Sequence, residues 1–382
     1  MLKGLLFRPA KRTVGIYYFS SRSTQIEVKD KNPYKTQVKP IDLSFETKKL
    51  YETFSDVHDD ILNQQLVYYK QYPDLRQTYS KLLHYTMHLE PRYIGRGIFS
   101  IYAYKLLEKP ELFTEENLKK ACVIAWCHKL MDATIIVEDD IVDVTELRYN
   151  KPAWYKVEDV GEHKAILDAA FLSSSMWFLL LKHLSTHKYF PNIMKQILTI
   201  FSVCNVSERI DITQHRIEDL EKHTYSAKGV ALAMPVLRKA LYLANIDVDA
   251  HKATEEFSID LAYFLKFEDD FNGVFNPMSD EQKTCTDIAE GRPSWVPVQA
   301  YKMGNLAQKK ILEEHFGKNN EESIRKCYEL FKELRLEQVF ADYKENFYNK
   351  MYAKIHQNLP KILPVKLFLD YLNFCLTTGL RV

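Results

Sequence analysis

The chain has 382 residues, 46% of them hydrophobic and 27% charged, which is ample for a sizeable core and speaks against disorder. Its formal net charge of +1 gives no electrostatic case for nucleic acid or an anionic membrane as partner, so any basic site must be local. Only 11 glycines beside 24 Tyr and 21 Phe favour a helical protein.

Residues 1–26 carry Lys3, Arg8, Lys11, Arg12 and Arg22 with Ser20, Ser21 and Ser23, and the first acid of the chain is Glu27. A basic, acid-free, serine-bearing start is typical of a mitochondrial transit peptide, the alternative being a basic tail on a cytoplasmic protein. From Leu43 onward apolar residues recur at helical spacing, and no stretch shows the period-two alternation of a strand. Residues 40–382 are therefore expected to form one all-α domain of roughly ten or more helices. Breaks are expected at 71–74, 109–112, 158–161, 187–191, 245–249, 276–280 and 319–320, and Thr114-Glu115-Glu116-Asn117 reads as a helix start. The apolar run from Ala169 to Leu181 is too short to cross a bilayer and suits a buried helix. Cys122, Cys127, Cys204, Cys285, Cys327 and Cys375 have neither zinc-ligand spacing nor the density of a disulfide scaffold, and read as reduced core residues.

Two acidic clusters carry the chemistry: Asp139-Asp140-Ile141-Val142-Asp143 and Asp269-Asp270-Phe271-Asn272-Gly273, each after an apolar run. On a helix, Asp139 and Asp143 share one face a turn apart, a two-point landing for a hard cation. Magnesium prefers oxygen ligands and is typically held by one or two carboxylates together with substrate phosphate oxygens. The alternative is a solvated acidic face. Because both clusters end runs that read as buried, their carboxylates need partners. With no comparable density of Lys or Arg around Asp139 and Asp140, a metal is the most economical one.

The chain resembles the farnesyl diphosphate synthase family from about Leu82 to Ala300. The family's Asp-Asp-x-x-Asp, four residues, then Arg-Arg-Gly is matched by Asp139-Asp140-Ile-Val-Asp143, four residues, then Arg148-Tyr149-Asn150, continuing through Trp154-Tyr155. Asp269-Asp270 is followed at the family's distances by Lys283, Thr286-Asp287-Ile288 and Arg292-Pro293-Ser294-Trp295. The resemblance implies a helical bundle of the isoprenoid synthase type, a homodimer and three Mg2+ ions. It implies Asp139, Asp143 and Asp269 as metal ligands, and Arg148, Lys283 and Arg292 as ligands of a substrate diphosphate. Asp211 fits a family acid near the metals. Lys266 stands where the family has a Gln and either contacts the diphosphate or is a surface lysine. Thr134 and Ile135 stand where short-chain members carry bulky aromatics that floor the pocket.

Prenyl elongation also needs a second, metal-free diphosphate site. Here Tyr93 stands at a family lysine position although Arg96 remains, Tyr149 replaces an arginine, and Asp132 replaces a Gln. Two lost cations and an added acid are expected to repel an acceptor diphosphate. The expectation is therefore a class I terpene synthase, a carbon–oxygen lyase converting farnesyl diphosphate (E,E or Z,E) to a sesquiterpene with release of diphosphate. The alternatives are a prenyl diphosphate synthase joining an allylic diphosphate to isopentenyl diphosphate, and a catalytically silent subunit that modulates an active synthase.

Overall fold

The computed structural model describes residues 41–87, 91–213, 216–221, 235–276 and 286–378. The readings of residues 1–26, Lys283 and Cys285, and of the side chain at position 93, fall outside the described residues. Helices α1 (Ser44–Glu52), α2 (Phe54–Gln65), α3 (Pro73–Thr86) and α4 (Pro91–Leu107) lead into α5 (Glu115–Val142). The start of α5 is where the sequence places it: the Thr114 hydroxyl accepts from Asn117 N at 3.3 Å, with Glu115 and Glu116 in the first turn.

The 28 residues of α5 span about 42 Å. Every residue from Ala121 to Ile135 is buried, so the helix is enclosed on all faces rather than amphipathic. It packs along α4 and α6 (Gly161–Leu184), with α1, α7 (Phe190–Asp211) and α8 (Pro235–Leu243) closing around it. Trp126, Trp154, Phe99 and Tyr104 fill this main core.

A second core lies under α9 (His251–Phe275), α11 (Trp295–Met303), α13 (Glu321–Glu333) and α14 (Leu336–Asn358). There Phe271 stacks on Phe340 at 4.2 Å, an arrangement contributing about 0.5–1.5 kcal/mol beyond area burial. α9 serves both cores, with Phe264 and Leu265 in the first and Phe267 and Phe271 in the second. The short α10 (Thr286–Glu290) precedes α11; α12 (Leu306–His315) and α15 (Val365–Thr378) complete the set.

The architecture is all-α, as composition and periodicity indicate, with one small departure. Leu147–Arg148 and Lys151–Pro152 form a two-stranded antiparallel hairpin, too short to show a period of two. The apolar run 169–181 is the middle of a longer helix: α6 has 24 residues and is long and apolar enough to cross a membrane, contrary to the expectation from the run alone. Half of that apolar window is buried inside the protein, and the other face leaves Ile166, Leu167, Phe178 and Leu181 exposed. Cys122, Cys127, Cys204, Cys327 and Cys375 are buried.

Candidate active site

α5 closes with Asp139 and Asp140 in its last turn and Asp143 as its cap, and no basic residue accompanies them. A helix C-terminus carries partial negative charge, so carboxylates there need cations from elsewhere. The hairpin returns one. Tyr149 and Asn150, its two turn residues, sit at φ of 58° and 57°, the geometry of a tight type I′ turn. Arg148 is thereby folded back onto α5, where Nη2 and Nε donate to Asp140 Oδ1 at 2.6 and 3.0 Å. Its Nη2 also lies 3.6 Å from Asp139 Oδ2. The reading that Asp139 and Asp140 lack a nearby cation is corrected by this contact, because the turn brings back a residue that a linear window leaves downstream.

The second cation comes from the other core. Arg292 Nη2 and Nη1 donate to Asp143 Oδ1 and Oδ2 at 2.5 and 3.2 Å, and Nε donates to Glu290 Oε2 at 2.6 Å. Burial opposes the guanidinium charge, but Asp143, Glu290 and Asp287 outweigh it and hold the pKa above its ordinary value. Gly291, at φ of 73°, makes the turn that presents Arg292, and a Cβ there would lie 3.1 Å from Gly317 Cα.

On α9 the two aspartates divide. Asp269 is exposed, whereas Asp270 is buried, taking Lys266 Nζ at 3.2 and 3.3 Å and the Trp295 N–H at 2.8 Å. Burial works against the charge of Lys266, yet Asp270, Asp211 and Asp287 together keep its pKa above the usual lysine value. Lys266 is thus an interior strut, which excludes the surface-lysine reading. The same division holds on α5. Asp140 is 1% exposed and anchored by Arg148, while Asp139 and Asp143 are half-buried. In each Asp-Asp pair one acid lies deeper, Asp140 beside Asp139 and Asp270 beside Asp269, while the Asp143 side chain, 6% exposed, is covered by Arg292.

Asp287 acts on both Arg292 and Lys266, so the two acidic clusters face each other across an alternating set of acids and bases. All the acids here are carboxylate oxygen donors of the kind Mg2+ takes. Among the described residues, no three His, Cys, Asp or Glu side chains stand together as a ready cage. Thr134 and Ile135 are buried in the α5 wall, and the Thr134 hydroxyl donates to Leu130 O at 2.9 Å.

Next to the hairpin lies a buried polar cluster that a linear reading does not assemble. Arg96 Nη1 is 3.6 Å from Asp132 Oδ2, His128 Nε2 is 3.5 Å from the same oxygen, and Lys239 Nζ is 3.1 Å from His128 Nδ1. Lys129 Nζ reaches the Tyr149 hydroxyl at 3.4 Å and lies 5.2 Å from its ring centre. Burial first, and then Lys239, Arg96 and Lys129, drive the His128 pKa well below its usual value, so the ring is neutral. The signal in the sequence was a charged residue inside an apolar run, His128-Lys129 in α5 and Lys239 in α8. Its meaning depends on both helices being enclosed.

The residue pattern of the polyprenyl synthetase family matches residues 76–332. The farnesyl pyrophosphate synthase of Murgantia histrionica is 27% identical over 338 residues, covering 86% of this chain and 82% of that protein. That of Saccharomyces cerevisiae is 28% identical over 278 residues, covering 69% and 78%. A solved structure of T. brucei farnesyl diphosphate synthase complexed with a bisphosphonate superposes with a TM-score of 0.76 at 18% identity, covering 88% of this chain and 99% of that one. These relatives overturn the terpene synthase expectation, its lyase class and its sesquiterpene product, since the enzymes matched are prenyl synthases. The physical argument behind that expectation is weakened at Asp132, which it counted as a bare repelling charge: burial raises the Asp132 pKa, and Arg96, whose Nη1 lies 3.6 Å from Oδ2, then Lys129 and Lys239 act against that rise.

Proposed function

This chain belongs to the polyprenyl synthetase family, and on that premise we propose that it is a prenyl diphosphate synthase joining an allylic diphosphate to isopentenyl diphosphate. The observation that carries the reading is the presence of two separate cationic stations around α5. Arg148 and Arg292 stand over the acids Asp139 and Asp143, and Arg96 with Lys129 stands about two to three turns of α5 away. Elongation needs one diphosphate held on metal and another held by basic side chains.

Asp139, Asp143 and Asp269 would hold Mg2+, which when bound neutralises charge on the leaving diphosphate. Arg148 and Arg292 hold non-bridging diphosphate oxygens by charge-assisted hydrogen bonds. Taking up the substrate draws Arg292 from Asp143 and turns Arg148 from its longer contact with Asp139, freeing those two carboxylates for metal while Arg148 stays on Asp140. Asp140 and Asp270 keep the ends of α5 and α9 in place through Arg148 and Lys266. The enclosed apolar wall that includes Ile135 keeps water from the allylic carbon as its bond to oxygen breaks. The isopentenyl double bond then supplies the new carbon–carbon bond, and a proton leaves the adjacent carbon.

The relatives named above support farnesyl diphosphate as the product. A second copy of the chain accounts for the outer faces of α6 and α7, where Ile166, Leu167, Phe178, Leu181, Leu198 and Val206 are exposed. The mitochondrial address rests on the composition of residues 1–26 alone.

The test is incubation of purified protein with Mg2+, geranyl or farnesyl diphosphate, and radiolabelled isopentenyl diphosphate. Label in a longer prenyl diphosphate is expected. Absence of incorporation with any allylic partner overturns the reading.

A further inference from the structure

Buried charge in a helical core calls for compensation, and the Arg96–Asp132–His128–Lys239 chain supplies it only in part. Arg96, Lys129 and Lys239 all act on the one carboxylate of Asp132, while neutral His128 adds no charge. Two polar atoms, His128 Nε2 and Asp132 Oδ1, are buried with no hydrogen-bond partner among the described residues. Asp132 Oδ1 is an acceptor and calls for a donor, but three cations converging on one carboxylate leave an excess of positive charge that an anionic group would balance. The cluster also abuts the donor end of the site, since Tyr149, which Lys129 touches, directly follows Arg148.

The cations differ in reach. Arg96 has 14% of its side chain exposed, whereas Lys239 is 1% exposed and enters from α8 behind His128. A ligand arriving along α5 meets Arg96 first; Lys129, 3% exposed, lies deeper beside Tyr149, and Lys239 acts from behind.

We propose that Lys239 is a positioning residue for the acceptor diphosphate: through His128 it offsets Asp132, so that Arg96 and Lys129 are left to hold the second diphosphate. The proposal rests on the prenyl synthase reading and adds to it a residue outside both acidic motifs. It also explains how an acid at position 132 is compatible with an anionic acceptor. Lys239 supplies a third positive charge, placed where it touches Asp132's neighbour and not the ligand.

The experiment is steady-state kinetics on Lys239→Met, Asp132→Gln and the double variant, with KM measured separately for isopentenyl diphosphate and for the allylic diphosphate. Lys239→Met should raise KM for isopentenyl diphosphate about tenfold and leave the allylic KM within about twofold. A general packing defect would move both together. Asp132→Gln alone should lower the acceptor KM, and the double variant should return it to near the wild-type value. An unmoved acceptor KM in folded Lys239→Met, an equal rise in both constants, or a failure of Asp132→Gln to restore it overturns the proposal. Should Lys239→Met not fold, Asp132→Gln in the wild-type background decides alone: an unchanged acceptor KM sinks the idea. Wild-type incorporation of label separates the two levels. An enzyme that elongates but shows no acceptor effect keeps the reading and loses Lys239, whereas one that incorporates nothing loses both.

Discussion

Arg292 and Asp143, 149 residues apart in the chain, meet in a two-point ion pair at 2.5 and 3.2 Å, and this contact joins the end of α5 to the start of α11. Asp143 helps hold the Arg292 guanidinium charged, and the pair fixes the separation of the two acidic motifs as well as preparing a diphosphate ligand. Arg292→Gln should lower kcat by about a hundredfold or more, the scale seen when one preorganised charge donor is removed. It should destabilise the fold by about 1.5–3 kcal/mol at most, since the Arg292 side chain retains 23% exposure. Wild-type turnover with a normal melt would remove Arg292 from the site.

The carboxylates closing α5 should separate by their roles. Asp140→Asn breaks a buried bidentate pair with Arg148 and should cost about 3–5 kcal/mol. Asp143→Asn should cost less, its partner Arg292 retaining Glu290. Asp139→Asn, whose contact with Arg148 is 3.6 Å, should melt close to wild type yet lose turnover and magnesium-dependent stabilisation. Thermal melts with and without Mg2+ check this order, and a destabilised Asp139→Asn with retained turnover would reverse it.

Gly291 occupies a left-handed φ of 73° against Gly317, immediately before Arg292. Gly291→Ala adds both backbone strain and a 3.1 Å approach to a backbone atom. A loss of about 1–3 kcal/mol is expected, with a fall in kcat because Arg292 is displaced. A folded variant with unchanged stability and kcat would show that the loop relaxes without moving the arginine.

Lys239 should leave a pH signature on stability. Burial, opposed in small part by Cys127 and Asp132, lowers its pKa from 10.5 to about 8. Between these values the unfolded chain holds a proton that the folded chain has released. Stability from this group is therefore fully present above about pH 10.5 and is lost as pH falls through about 8, a penalty of about 3 kcal/mol at neutral pH. Lys239→Met should melt above wild type at pH 7, less whatever Asp132 loses by the change, and the gap should shrink by pH 10. A gap that does not depend on pH would show that the Lys239 ammonium is not strained by burial.

Helical architecture, the start of α5 at Thr114 and the two acidic motifs were all legible in the sequence, because each rests on short-range regularities: helical periodicity, a capping hydroxyl, and carboxylates four residues apart. Tertiary structure decided what those acids face. Only the hairpin turn at Tyr149-Asn150 returns Arg148 to α5, and only the packing of the second core brings Arg292 to Asp143 and Lys266 to Asp270. The largest error of the linear reading was made at Asp132, where a charge was weighed without its neighbours. Electrostatic energy depends on distance through space and on burial, and Lys239, 1% exposed and carried by another helix, reaches Asp132 through His128 only once α8 has packed against α5.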